Sequence, residues 1–196
     1  EYTYGDKLSK YKVAVLDLGC KKSILDNFNS RDVVCKVFPA KSSFKKMADW
    51  NPNGFFISNG PGDPASMDYV VKTIQKILEI NKPLFGICLG HQLISRACGI
   101  STFKLHNGHR GINHPVKNLR TGKSEVTSQN HGFSVDFDEV DKSKAVKLTH
   151  VNLNDNSVEG IEVVGKKAFS VQYHPESSPG PHDSRYLFDD FIKLFK

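Results

Sequence analysis

The sequence predicts an α/β fold: a mainly parallel central sheet flanked by helices, with an antiparallel extension. Three observations carry that expectation. Between residues 12 and 99, short apolar and β-branched runs alternate with stretches of helical periodicity, the pattern of strands covered on both faces by crossover helices. After residue 100 the apolar segments shorten and turn residues separate them, as in LNDNSVEG at 153–160, which fits antiparallel strands. No internal repeat, low-complexity stretch or second compositional block interrupts the 196 residues, a length that one core can serve.

Taken in order, KVAVLDLG (12–19) reads as a strand, KKSILDNF (21–28) as a helix and DVVCKVF (32–38) as a strand. GFFISNG (54–60) is an apolar run ending in glycine. A helix follows from about Pro64, with Val70, Val71, Ile74, Ile77 and Leu78 as its apolar stripe. PLFGI (83–87) is the next strand, and GHQLISRACG (90–99) the next helix, stopped by Gly99. Shorter strands are expected at 112–118, 124–129, 133–135, 145–152, 158–163 and 168–173. The closing HDSRYLFDDFIKLFK spaces Tyr186, Leu187, Phe188, Phe191, Leu194 and Phe195 as one helical face.

Composition narrows the function classes. Hydrophobic residues make up 38% and charged residues 24%, ordinary for a globular domain. The net charge of +6 comes from scattered lysines, with pairs at 21–22, 45–46 and 166–167 and no basic block, so nucleic acid is not expected as a partner. No apolar run approaches a membrane span, and the opening EYTYGDKLSKYK has neither an initiator Met nor an apolar leader. The expectation is a cytoplasmic chain cut from something longer. Cys20, Cys35, Cys88 and Cys98 have no C-x-x-C spacing, and free thiols are expected.

Three segments each end an expected strand: SNGPGDP at 58–64, GICLG at 86–90 and VQYHPE at 171–176. Ligands of open α/β sheets bind at the carboxyl ends of strands, so the three converge on one site. GICLG has the form of the nucleophile elbow with cysteine in place of serine. Its glycines allow a tight turn, and Cys88 would project at the positive end of a helix, which favours a thiolate. The Leu89 N–H then points where an oxyanion would form. His174 and Glu176, two apart on an extended segment, share one side, as a base and the carboxylate that orients it. Alone, HPE more often means a surface His beside a solvated Glu, and GICLG alone is as readily a buried junction. NGPGDP is either a stiff surface turn or a rigid loop of glycine N–H donors for a carbonyl gaining negative charge. QNHGF (129–133) offers an amide, backbone around a glycine and an aromatic wall for an amino-acid ligand. HNGHRGINHP (106–115) holds three histidines but lacks cysteine partners and helical i, i+4 spacing, so no metal site is expected. His91 reads as a local hydrogen-bonding residue, and Cys20, Cys35 and Cys98 as packing residues.

The set NGPGDP, GICLGHQL, QNHGF and VQYHPE resembles the class I glutamine amidotransferases, with their Cys–His–Glu triad and flavodoxin-like fold. More narrowly, GHRGINHPV (108–116), SQNHGFSVD (128–136) and VQYHPESSPGPHDS (171–184) are similar to the small subunit of carbamoyl phosphate synthetase. LDLGCKKSIL (16–25) also resembles that family's opening strand and helix, although Ser23 stands where asparagine is more usual. The resemblance implies catalytic Cys88, His174 and Glu176, with oxyanion donors at Leu89 and Gly60. It implies glutamine-binding positions at Gly60, Gly62, Leu89, Gln92, Asn130, Gly132 and Phe133. It further implies hydrolysis of L-glutamine through a cysteinyl thioester, with ammonia passed to a large synthetase subunit that uses ATP, Mg and bicarbonate to make carbamoyl phosphate for arginine and pyrimidine synthesis. No cofactor is expected in this chain. Residues 1–11 look like a linker from an N-terminal domain of that family, and 12–196 like the amidotransferase domain. Anthranilate, guanylate or cytidine-nucleotide synthases and a γ-glutamyl peptidase use the same triad, and GHRGINHP argues against them. A degenerate docking subunit has no chemical need for all three triad residues.

Overall fold

The computed structural model describes residues 1–196. In chain order the elements are β1 (Tyr2–Tyr4), β2 (Tyr11–Asp17), α1 (Lys22–Asn29), β3 (Val33–Pro39), α2 (Phe44–Ala48), β4 (Gly54–Ile57) and α3 (Asp68–Glu79). Then come β5 (Leu84–Ile87), α4 (Leu89–Ala97), β6 (Thr102–Asn118), β7 (Ser124–Val135) and α5 (Phe137–Lys142). The chain ends with β8 (Val146–Asn152), β9 (Val158–Val163), β10 (Ala168–Val171) and α6 (Tyr186–Lys193). All ten strands form one sheet in the order β1-β3-β2-β4-β5-β10-β9-β8-β6-β7. The block β3-β2-β4-β5-β10 is parallel, and β9, β8, β6 and β7 extend it antiparallel. The expected mainly parallel sheet with an antiparallel extension is the observed one.

The pleat divides the core into two layers. Along β2, Val13 and Val15 face Ile24, Leu25 and Phe28 of α1 and Leu187, Phe188 and Phe191 of α6. Ala14 and Leu16 face the opposite layer, with Val70, Ile74 and Ile77 of α3 and Leu93 and Ile94 of α4. The α6 aromatics pack edge-on, with Phe188 5.2 Å from Phe28 and 5.9 Å from Phe85 between ring centroids. That burial, rather than intrinsic propensity, holds so short a helix.

Several elements differ from the sequence-based expectation. Residues 2–4 form β1, antiparallel to the outer edge of β3. The separate segments 112–118, 124–129 and 133–135 are parts of two long strands, β6 and β7. Their pairing breaks register between Lys104 and His109 and between Gly111 and His114. Gly108 and Gly111 sit there with φ of 65° and 151°, so these glycines mark bulges within a strand rather than loops between strands. The short helices α2 and α5 were not anticipated. Ser43 caps α2 through the Lys46 N–H, and Asp136 caps α5 through the Glu139 N–H at 2.9 Å. The Asp-x-x-Glu pattern at 136–139 was the available cue.

Candidate active site

From β2 the chain goes to β3 on one side of it, then crosses back to β4 on the other side. Such a reversal opens a crevice beyond the carboxyl ends of the strands. A cavity of about 520 Å³ lies there, lined by residues following β2 (Gly19, Lys21), β4 (Asn59 to Gly62), β5 (Cys88) and β10 (His174), and by the β6–β7 wall. Of the residues expected from sequence, Gly60, Gly62, Cys88, Gln92, Asn130, Gly132, Phe133 and His174 all line it.

Cys88 stands between β5 and α4 with φ 56° and ψ −106°. A non-glycine residue in this region stores strain of about 1–3 kcal/mol, which the surroundings must hold. They do so tightly. The Cys88 N–H donates to Val171 O of β10 at 3.0 Å, and Gln92 N–H returns to Cys88 O at 3.1 Å. A Cβ on Gly90 would lie 2.8 Å from the Ile57 carbonyl carbon, and one on Gly86 would lie 2.6 Å from Ile94 Cδ1. Only glycine lets α4 start this close to β4 and β5. The Cys88 side chain is 5% exposed, and Sγ lies 3.9 Å from Asn130 O.

His174 and Glu176 lie beyond the end of β10, in a turn where the Ser177 N–H reaches His174 O at 3.1 Å. The extended geometry expected for them is therefore absent, yet they meet: Nδ1 of His174 is 2.7 Å from Glu176 Oε1. The His174 N–H donates to Ser128 O at 2.8 Å, which fixes the turn against β7. Burial alone would lower the pKa of His174; the neighbouring Cys88 and the hydrogen-bonded Glu176 carboxylate outweigh it and push the pKa up to about 10. Burial works to raise the Glu176 carboxyl, but the bond to His174 and the Lys21 ammonium, 3.5 Å away, hold it below the usual range.

The loop after β4 is rigid by construction. Leu18 N–H donates to Ser58 Oγ at 2.8 Å, Ser58 Oγ donates to Asn59 O at 2.7 Å, and Lys21 N–H donates to Asn59 Oδ1 at 3.2 Å. A Cβ on Gly60 would collide with Leu18 O. The Gly60 N–H makes no hydrogen bond within the chain, and Leu89 N–H, in the first turn of α4, has no intrahelical partner. Leu89 itself is buried in the core, so it offers the site only its backbone. Gln92 spends both amide protons inside the fold, on Phe133 O at 2.9 Å and Gln172 Oε1 at 3.0 Å. It faces the cavity through Oε1 alone and holds the β7 wall in place.

Sequence reasoning missed Lys21, Lys104, Arg110 and His131 as cavity-lining residues. Lys104 and Arg110 lie on the stretch of β6 that reads as a loop. Burial holds His131 down at about 3, so it lines the cavity as a neutral ring. His91, expected to bond locally, instead reaches Ser170 Oγ of β10 at 2.8 Å. The four cysteines are unpaired. No helix is long and apolar enough to cross a membrane.

Comparison with known proteins gives a consistent picture. The family model for class-I glutamine amidotransferases matches residues 14–194. The carbamoyl phosphate synthase small chain of Mycobacterium tuberculosis (strain ATCC 25618 / H37Rv) is 48% identical over 192 residues, covering 95% of this chain and 51% of the relative. That of Brucella ovis is 49% identical over 195 residues, 98% of this chain and 47% of the relative. The chain thus spans about half the length of the curated relatives it matches. The crystal structure of a putative GMP synthase component from Thermoplasma acidophilum has a TM-score of 0.81 over 94% of both chains at 19% identity, a likeness of fold.

Proposed function

The chain belongs to the class-I glutamine amidotransferase family, and on that premise we propose that it is the glutamine-hydrolysing part of a carbamoyl phosphate synthase small chain. The observation that carries the reading is Cys88, strained at the start of α4, beside an imidazole held by a fully buried carboxylate. In this reading Cys88 Sγ attacks the side-chain amide carbon of L-glutamine. The carbonyl oxygen gains negative charge and is met by the N–H groups of Leu89 and Gly60. A single such donor supplies about 2.7–4 kcal/mol in comparable sites. His174 takes the proton of the Cys88 thiol as the S–C bond forms and gives it to the departing amine as the C–N bond breaks, releasing ammonia and leaving a γ-glutamyl thioester. Water, deprotonated by the now neutral imidazole, attacks the thioester; glutamate leaves and the proton returns to His174. Glu176 holds the ring in the required tautomer. Gly62, Gln92 Oε1, Asn130, Gly132 and Phe133 surround the rest of the substrate.

The proposed partner is the large synthetase subunit, which receives the ammonia and uses ATP, Mg and bicarbonate, in a cytoplasmic complex. Residues 1–11 are proposed to connect to an N-terminal domain. The test is glutamate release from glutamine, with and without purified large subunit, by wild type and Cys88→Ser. Cys88→Ser is expected to lose at least about 10³-fold in kcat, and wild type to support carbamoyl phosphate formation only with the partner. Cys88-dependent hydrolysis without partner coupling would keep the glutaminase reading and remove the expectation that residues 1–196 alone couple to the large subunit. Hydrolysis that survives Cys88→Ser would remove the mechanism.

A further inference from the structure

His131 belongs to the wall of the cavity and also to a second, buried polar cluster. Strands β6, β7 and β9 bring His109, His131 and Glu159 together, each with one ligating atom within 4.8 Å of the others. Gln129 completes the group, its Oε1 3.1 Å from His109 Nδ1 and 2.9 Å from His131 Nε2.

The donors and acceptors of this cluster do not balance. The Thr127 hydroxyl donates to His114 O at 2.8 Å, so it receives the amide N–H of Gln129 Nε2 at 3.2 Å. Gln129 Oε1 therefore faces the two imidazoles. His131 Nδ1 lies 2.7 Å from Phe133 O; a carbonyl only accepts, so Nδ1 carries the ring hydrogen and Nε2 presents a lone pair. His109 is fixed in the same way, with Nε2 2.8 Å from Asp155 Oδ2 and Nδ1 turned inward, 3.6 Å from Glu159 Oε1. Glu159 is fully buried; Oε1 accepts from Asn152 Nδ2 at 3.1 Å, while Oε2 has no partner. Ligand atoms of two imidazoles and a carboxylate thus lie within 4.8 Å of one another, with the Gln129 amide oxygen beside both imidazoles. One added proton on His109 Nδ1 would serve Gln129 Oε1 and Glu159 Oε1 but leave the His131 Nε2 lone pair and Glu159 Oε2 without a donor; a second proton would place two imidazolium rings with centroids 4.8 Å apart in the interior. One divalent cation satisfies them all.

We propose that His109 Nδ1, His131 Nε2, Gln129 Oε1 and the Glu159 carboxylate form a binding site for a divalent transition cation of the Zn²⁺ class. Tetrahedral coordination with bonds of about 2.05 Å places ligand atoms about 3.3 Å apart; separations of 2.9, 3.1 and 3.6 Å between Gln129 and His131, Gln129 and His109, and His109 and Glu159 bracket that value, and the His109, His131 and Glu159 ligand atoms all lie within 4.8 Å of one another. Two imidazole ligands favour this class over Mg²⁺ or Ca²⁺. The outer shell is in place: Asp155 holds His109, Phe133 O holds His131 and Asn152 holds Glu159, the arrangement that fixes ring tautomers at metal centres. A surface cavity of about 370 Å³, lined in part by Gly108, His109 and Asp155, lies beside the cluster on the outer side of His109. Phe133 O also takes the Gln92 amide, so a bound cation would stiffen the β7 wall of the cavity. The sequence concealed this set because its members lie on three strands at spacings that match no metal-ligand motif.

The test uses the full chain, stripped with chelator, loaded with ZnCl₂ and desalted, with metal measured by mass spectrometry. About one Zn²⁺ per chain is expected in wild type and in Cys88→Ser, with at least a tenfold weaker affinity in Glu159→Gln and His109→Asn. X-ray absorption of the zinc-loaded wild type reads the site even where a variant misfolds. Nitrogen and oxygen neighbours at about 2.0–2.1 Å are expected, and a sulfur neighbour at about 2.3 Å would place the ion on one of the four free cysteines and overturn the proposal. Less than about 0.1 Zn²⁺ per wild-type chain would overturn it too, as would undiminished affinity in both folded variants.

Discussion

Gly90→Ala separates the positioning of the proposed nucleophile, Cys88, from the stability of the domain. The added methyl would lie 2.8 Å from the Ile57 carbonyl carbon and closer still to its oxygen, whereas ordinary contact begins at 3.4 Å. The start of α4 must therefore retreat from β4 by at least ~0.6 Å, because the obstacle is backbone rather than a flexible side chain. Overpacking of this kind costs about 1–3 kcal/mol, and alanine returns up to about 1 kcal/mol of helix propensity. A net loss of about 1–2 kcal/mol lowers Tm by about 2–8 °C in a domain of this size. The same retreat carries Cys88 away from His174 and the Gly60 N–H. A displacement of about 1 Å can cost about 10²-fold in rate, so kcat/KM for glutamine is expected to fall at least about tenfold. Gly99→Ala is the control. Its φ is 84° and nothing lies within 4 Å of the new methyl, so it should lose about 1–2 kcal/mol through backbone strain alone and keep its kcat/KM. Thermal melts and glutamate release measure both variants. Activity of Gly90→Ala within about twofold of wild type would refute the argument that the glycine sets the position of the nucleophile.

Other outcomes follow from the same geometry. The raised pKa of His174, about 10, means that the folded state binds more protons than the unfolded one between about 6.5 and 10. The stability this contributes is complete below pH 6.5 and is lost as pH rises through 10. The Tm gap between wild type and His174→Asn should narrow across that window, and a gap independent of pH would contradict it. Asp136→Ala removes the α5 cap and should cost about 1 kcal/mol, or about 2–4 °C in Tm. Its glutaminase rate should not change, since Asp136 lies outside the cavity lining; an unaltered Tm would mean that α5 does not depend on its cap.

Residues 12–99 were legible as an alternating parallel unit because each strand there is buried on both faces and each helix carries one apolar stripe. Val70, Ile74, Ile77 and Leu78 announce the buried face of α3 through spacing alone. GICLG was legible for a related reason: a tight junction between β5 and α4 tolerates glycine at 86 and 90 and little else. Past residue 100 the local signal misled. Gly108, Gly111 and Pro115 punctuate β6 as loops would, and pairing with β7 along its length and β8 at its end keeps it a strand. His174 and Glu176 were found by type and spacing, but their contact is made by a turn that the Ser128 carbonyl anchors from β7. Lys21 beside Glu176, Arg110 in the cavity wall, and the meeting of His109, His131 and Glu159 carry no sequence periodicity at all. Short-range order is written by side-chain pattern and backbone preference. Which distant polar groups share a buried point is decided by strand register and sheet order, because those alone bring residues far apart in the chain within hydrogen-bonding distance.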